Sequence, residues 1–187
     1  MSSAANVSSA AAVSNWNIDP VHSIAEFRVK HMMISSVRGQ FTGVTGTLIF
    51  NESDLSQSRV EAVIDVSTIN THDVQRDGHL KSPDFFDVEK FPTMTFRSSH
   101  ITRKADGSVS VSGPLTVHGV TKDVEFEVEG PTPPAKDPWG NTRVGVTAKT
   151  KVNRTDFGLT FNATLETGGV LVGEDVAITL ELEFVKA

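Results

Sequence analysis

Val124-Glu125-Phe126-Glu127-Val128-Glu129 sets an apolar residue against an acidic one at every step. Successive side chains of an extended chain point to opposite faces, so this run makes a strand with one dry face and one wet face. The same period recurs outward from it. Ala25, Phe27 and Val29 alternate with Glu26, Arg28 and Lys30, and Val60, Ala62, Ile64 and Val66 with Glu61, Val63 and Asp65. Toward the C-terminus Val144, Val146 and Ala148 share a face, as do Val176, Ile178, Leu180, Leu182 and Phe184. Shorter runs occur at Phe41 to Phe50, Met94 to Phe96 and Val109 to Val117. The reading is all-β, with about eight strands separated by turn chemistry at Ala105-Asp106-Gly107, Gly119, Pro131 to Gly140 and Gly168-Gly169.

One polar face per strand favours antiparallel pairing with water on one side. A closed barrel or a two-sheet sandwich would satisfy it, and closure has the advantage of leaving no exposed edge. An eight-stranded barrel is either filled by its own side chains or holds one small ligand. Alternation alone does not separate these outcomes.

The remaining sequence bounds the function. At 187 residues one domain is expected, and 38% hydrophobic with 21% charged residues is ordinary for a globular chain. A net charge of −6 argues against nucleic acid, or an anionic membrane surface, as the main partner. The absence of cysteine excludes disulfides, thiolate metal sites and thiol nucleophiles. Residues 1–15, rich in Ser and Ala, read as a flexible tail ahead of a domain over 16–187. The tail lacks a basic segment and a long apolar run, so residence in the cytoplasm is expected, or in the periplasm if a leader has been removed.

One long segment breaks the strand pattern: Thr71 to Phe96, THDVQRDGHLKSPDFFDVEKFPTMTF. Thr71 is placed to cap a helix over 72–80, with Asp73 and Asp77 at the positive end of its dipole. Ser82-Pro83-Asp84 starts a second short helix over 83–86. A helical insert across one mouth of the barrel, near residues 71–87, would turn Phe85 and Phe86 inward. Arg76 could meet the polar head of a ligand, since a guanidinium matches phosphate or carboxylate. The favoured reading has Arg76 and Asp77 pinning the insert by salt bridges and backbone hydrogen bonds.

No catalytic or metal motif stands out among the six histidines. His72 and His79 would lie on one helix face but about 10 Å apart, and there is no HxH, HExxH or GxSxG pattern. Glycines 39, 43 and 46 would bend a strand at a barrel corner. His118 falls at a hairpin turn and Asn153 to Gly158 at a strand end, where both fix turns.

Taken in order, Trp16-Asn17-Ile18-Asp19, His22-Ser23, Phe27 to His31, Gly39-Gln40-Phe41, Thr71 with Arg76 to Leu80, Ser82 to Asp87, Phe91-Pro92, Gly113 to Lys122 and Asn153 to Gly158 resemble the YceI-like family of lipid- or polyisoprenoid-binding proteins. The resemblance covers roughly residues 16 to 186. It implies an extended eight-stranded antiparallel barrel, lipocalin-like in shape, whose apolar lumen takes a long-chain isoprenoid or another amphiphilic lipid. It also leaves a homodimer open, and it assigns no active site.

The expected function is therefore binding, storage or transport of such a lipid, without catalysis, cofactor, metal, nucleic acid or stable membrane insertion. Phe27, Val29, Ile64, Phe85, Phe86, Phe96, Phe126 and Ile178 are the expected lining, with Arg76 as a head contact. Two alternatives stand beside it. One is an isomerase or hydrolase of an apolar substrate with His79 or His118 as base. The other is a structural barrel with a filled core.

Overall fold

A computed structural model describes residues 13–187. Residues 1–12, most of the expected tail, lie outside the described residues. The first strand begins at Val13.

Twelve strands occur among the described residues: β1 (Val13–Ile18), β2 (Ile24–His31), β3 (Ser35–Phe41), β4 (Val44–Asn51), β5 (Arg59–Asp65), β6 (Thr93–Arg97), β7 (His100–Arg103), β8 (Val109–Val117), β9 (Val120–Glu129), β10 (Ala135–Lys136), β11 (Thr142–Asn153) and β12 (Val172–Lys186). They form an antiparallel barrel of eight staves. Two staves are interrupted: β1 and β2 lie end to end along one edge of β12, and β3 and β4 lie end to end beside them. Beyond these come β5, β6, β8, β9 and β11, and β11 pairs with β12 to close the wall. β7 and β10 add short pairings outside the ring.

The expected barrel is thus present, with the breaks accounting for the additional strands. Closure is secured by the longest ladder, from Arg143↔Val185 to Asn153↔Asp175. Phe126, Val128, Val144, Leu182 and Phe184 are buried as their alternation requires. β1 was not read from the sequence, yet it carries the same code, burying Trp16 and Ile18 on one face.

The insert differs in detail from the expectation. One helix, α1 (Val74–Lys81), is present, and its cap is Asp73, whose carboxylate accepts from the Arg76 N–H. Thr71 is drawn away from capping by Asp77, which accepts from both its N–H (2.8 Å) and its hydroxyl (2.6 Å). His72 consequently lies outside the helix with a left-handed backbone, so it shares no helix face with His79. Ser82 to Phe86 forms turns rather than a second helix, held by the Phe85 and Asp87 N–H groups donating to the Ser82 carbonyl.

Two glycines show why particular positions tolerate no side chain. At Gly113 a Cβ would stand 2.1 Å from the Arg97 carbonyl oxygen and 2.9 Å from the Ser99 nitrogen, both backbone atoms. Gly113→Ala is expected to destabilise the barrel by roughly 1–3 kcal/mol, measured by urea unfolding. At Gly39 the obstacle is the Phe27 ring, 2.3 Å away, so this glycine makes room for a side chain rather than bending a strand. His118 and Gly119, with φ of 52° and 72°, form the two-residue turn that joins Val117 to Val120.

Candidate ligand site: the apolar barrel interior

The inward faces of the staves enclose a cavity of about 270 Å³. That is larger than the roughly 150 Å³ void known to stay dry and admit benzene. It approaches the lower end of ordinary ligand sites, about 300–1,000 Å³. At the insert end it is bounded by Leu80, Phe85, Phe86, Phe157 and Leu159. At the opposite end lie Leu55, Ile101, Val109 and Pro131.

Phe27, Val29, Ile64, Phe85, Phe86, Phe96, Phe126 and Ile178 all line this cavity. Each of the strand residues is there because it occupies the dry phase of its strand. Phe85 and Phe86 arrive differently. The Phe86 N–H donates to the Leu80 carbonyl at 2.9 Å, which folds the turn back against α1 and drives both rings toward the barrel. Phe86 meets Phe41 edge-on at 5.7 Å, and Phe41 in turn packs on Phe27 at 5.6 Å. Phe85 is covered from outside by Phe161, 5.0 Å away. The insert is therefore a plug welded to the wall by aromatic contacts.

Arg76 lies elsewhere. It is exposed and absent from the cavity wall, and its guanidinium donates to the Thr71 hydroxyl and carbonyl, both at 2.8 Å. Arg76 and Asp77 thus pin the insert through Thr71. They do so by hydrogen bonds alone, with neither in an ion pair among the described residues.

The two histidines considered as bases are also outside. His79 Nε2 is 2.9 Å from Asp84 Oδ2, and its ring stacks edge-on against Phe85 and Phe161 on the outer side of the plug. His118 packs against Phe91 at the β8–β9 turn. Neither belongs to the lining.

Sequence reasoning missed the charged residue that does border the cavity. Arg154 is 5% exposed and has no carboxylate partner in ion-pair range among the described residues. Its Nε donates to the Gly173 carbonyl at 2.8 Å, one terminal nitrogen to Val172 at 3.2 Å, and the other to Leu159. Burial pushes its pKa down, with the nearby Glu174 charge opposing that shift. A guanidinium stays protonated regardless, so one fixed positive charge stands at the insert end of a chamber lined almost entirely by apolar residues. The only signal was a charged residue beside an aromatic in Asn153 to Gly158.

A second group was equally invisible. Arg143 binds Asp19 (2.6 Å), Asp137 (2.7 Å) and Glu183 on the outer wall, and His22 Nδ1 is 2.9 Å from Asp19. Asp19, His22 and Glu183 could offer three ligand atoms to a cation. Arg143 already occupies the same oxygens of Asp19 and Glu183, so the cluster is an ion-pair network that ties the β1–β2 break to β11 and β12.

Arg143, then His22, holds the Asp19 carboxyl well below the usual carboxylate range, and Arg143 with Asn141 does the same to Asp137. A depressed folded pKa contributes stability above the unfolded value, near pH 4, and loses it as pH falls further. The melting temperature is therefore expected to drop between about pH 5 and pH 2. Arg143→Gln should flatten that dependence; thermal melts across this range check it.

A YceI-like domain is matched over residues 16–184, nearly the whole described chain. The chain belongs to the YceI-like family. Among relatives by sequence, a UPF0312 protein of Staphylococcus aureus strain N315 is 37% identical over 173 residues, covering 92% of this chain and 98% of that one. Among solved structures, the Campylobacter jejuni YceI protein superposes with a TM-score of 0.69 at 29% identity, covering 84% and 90% of the two chains. Burkholderia cenocepacia BcnA gives 0.75 at 22%, covering 89% and 98%. A domain from Saccharophagus degradans, described as polyisoprenoid-binding, gives 0.64 at 15%, covering 92% and 98%. The last two establish a shared fold. The motifs of this YceI-like chain now have physical roles: the Thr71–Asp77–Arg76 lock, the His118–Gly119 turn and the buried Arg154.

Proposed function

We propose that the protein binds a long-chain amphiphile, of the isoprenoid or a similar lipid class, with its apolar chain in the barrel interior. The observation that carries this reading is the lining. Apart from Glu26, Ser58, Thr95 and Arg154, its side chains are all apolar. Membership of the YceI-like family supports the reading, and the polyisoprenoid-binding description of the Saccharophagus domain is a precedent on the same fold.

Affinity on this reading comes from the tail. Each methylene withdrawn from water contributes about 0.8 kcal/mol. A polar or anionic head is best placed near Arg154, since three of the five guanidinium N–H groups go to carbonyls. Arg76 is exposed and stands outside the cavity wall, so it is the weaker candidate.

Carriage rather than catalysis is favoured by the lining, because acid–base work needs a titratable group within reach of the substrate. Glu26 alternates to the outer face and Arg154 is held by carbonyls. Cytoplasmic residence and a homodimer belong to the same proposal, to be checked by cell fractionation and by mass in solution. The reading is tested by native mass spectrometry on protein purified without detergent, followed by solvent extraction. A discrete adduct that extracts as a long-chain lipid supports it. Bare protein that also refuses added polyprenyl and quinone lipids overturns it.

A further inference from the structure

The β2–β3 hairpin ends in a turn that its residues do not favour. The Ile34 N–H donates to the His31 carbonyl at 3.2 Å, and the two residues between, Met32 and Met33, have φ of 51° and 60°. Two consecutive left-handed residues make a type I′ turn, for which Asn-Gly is the favoured pair. Each side chain in this conformation is strained. Methionines placed here therefore weaken the hairpin, and they do not fill the core in return. Met32, Met33 and Ile34 are 38%, 59% and 80% exposed. An apolar tip is kept at the expense of local stability.

The outer face of the flanking strands is rich in cations. Arg28 and Arg38 stand directly opposite each other on the outer face, a like-charge pair that opposes the hairpin. Lys30 continues the same face, and Glu26 is its one acid on β2. None of Arg28, Lys30 and Arg38 enters an ion pair among the described residues. The chain as a whole has a net charge of −6. Charges beyond about 8 Å are screened at physiological salt, so the outer face of the hairpin is locally basic, even though the adjoining start of β12 carries Glu174 and Asp175, the latter paired with Lys151.

The tip also stands beyond the barrel at the insert end. His31 pairs with Val172, and the Met32 N–H reaches the Leu171 carbonyl, outside the last β11–β12 pair. Its inner face leads to the cavity: Val29 and Phe27 of β2 both line it.

We propose that the His31–Ile34 tip and its basic flank dock the protein onto an anionic lipid surface, with Met33 and Ile34 entering the headgroup layer. Apolar side chains beside cations are the composition of an interfacial anchor, and each cation near such a surface adds about a further fivefold in partitioning. Docking sets the plugged end of the barrel against the bilayer. Its use for cargo exchange rests on the lumen reading above; the docking itself does not.

The test is vesicle flotation of the full chain with phosphatidylcholine alone and with phosphatidylcholine and phosphatidylglycerol in equal parts. Flotation with the anionic vesicles only is expected, weakened roughly tenfold by Ile34→Glu and by Arg28→Glu. The double variant Met32→Asn with Met33→Gly separates docking from structure. It should melt at a higher temperature than the parent, because it relieves the turn, and yet float about tenfold less. No flotation with anionic vesicles, equal flotation with neutral ones, or variants that float like the parent would overturn the proposal. Docking that persists in protein unable to take up any apolar chain would uphold it while removing the carrier reading.

Discussion

Arg154→Met is expected to destabilise the barrel by about 3–5 kcal/mol, a large share of the 5–15 kcal/mol that a domain this size has available. The guanidinium is buried and makes three bonds to backbone carbonyls, of Leu159, Val172 and Gly173. These carbonyls flank the segment joining β11 to β12, so one side chain fastens the return of the chain to the closing stave. Hydrogen bonds to a charged donor contribute more than neutral ones, and methionine of similar length would leave the carbonyls facing hydrocarbon. Arg154→Lys keeps the charge but has no planar fork to span the three acceptors. It should recover little of the loss. Urea unfolding of both variants checks this; full recovery by lysine would mean that charge, not geometry, is what the site requires.

Arg154 also shows where reading the sequence stops. Strand identity was legible wherever a polar face met a dry one, as at Val124 to Glu129. It was not legible at Ser35 to Phe41, where the inward set is Val37, Gly39 and Phe41. Gly39 is small only because the Phe27 ring fills its place, a tertiary fact. The helix start moved from Thr71 to Asp73 for a related reason: both residues can cap, and the hydroxyl of Thr71 was claimed by Asp77. The expected lining residues lie on the cavity because strand phase and wall position are both local. Burial of Arg154, and the meeting of Arg143 with Asp19, Asp137 and Glu183, join residues distant in sequence, so no spacing announces them.

Filling the interior should abolish uptake of an apolar chain without unfolding the protein. Ala62 and Ala148 both line the cavity with small side chains. A void of roughly 150 Å³ admits one benzene ring, so two added rings would fill the 270 Å³ present. The double variant Ala62→Phe with Ala148→Phe is expected to stay within about 1–3 kcal/mol of the parent in stability, since strain and added apolar burial oppose each other. Its affinity for a long-chain amphiphile should fall at least about a hundredfold, the loss of roughly 3 kcal/mol or four buried methylenes. Lys149→Phe is the control. Its neighbour Ala148 faces in, so residue 149 faces out, and the same ring there should leave uptake unchanged.

The most direct measurement is the affinity of delipidated protein for a homologous series of straight-chain alcohols and acids, read by displacement of a fluorescent chain. If the barrel interior is the site, each added methylene tightens binding about fourfold until the lumen is full, after which affinity levels off. The filled variant should show no such ladder. Failure to bind at any length, or a ladder undiminished in the filled variant, would contradict the assignment of the barrel interior as the binding site.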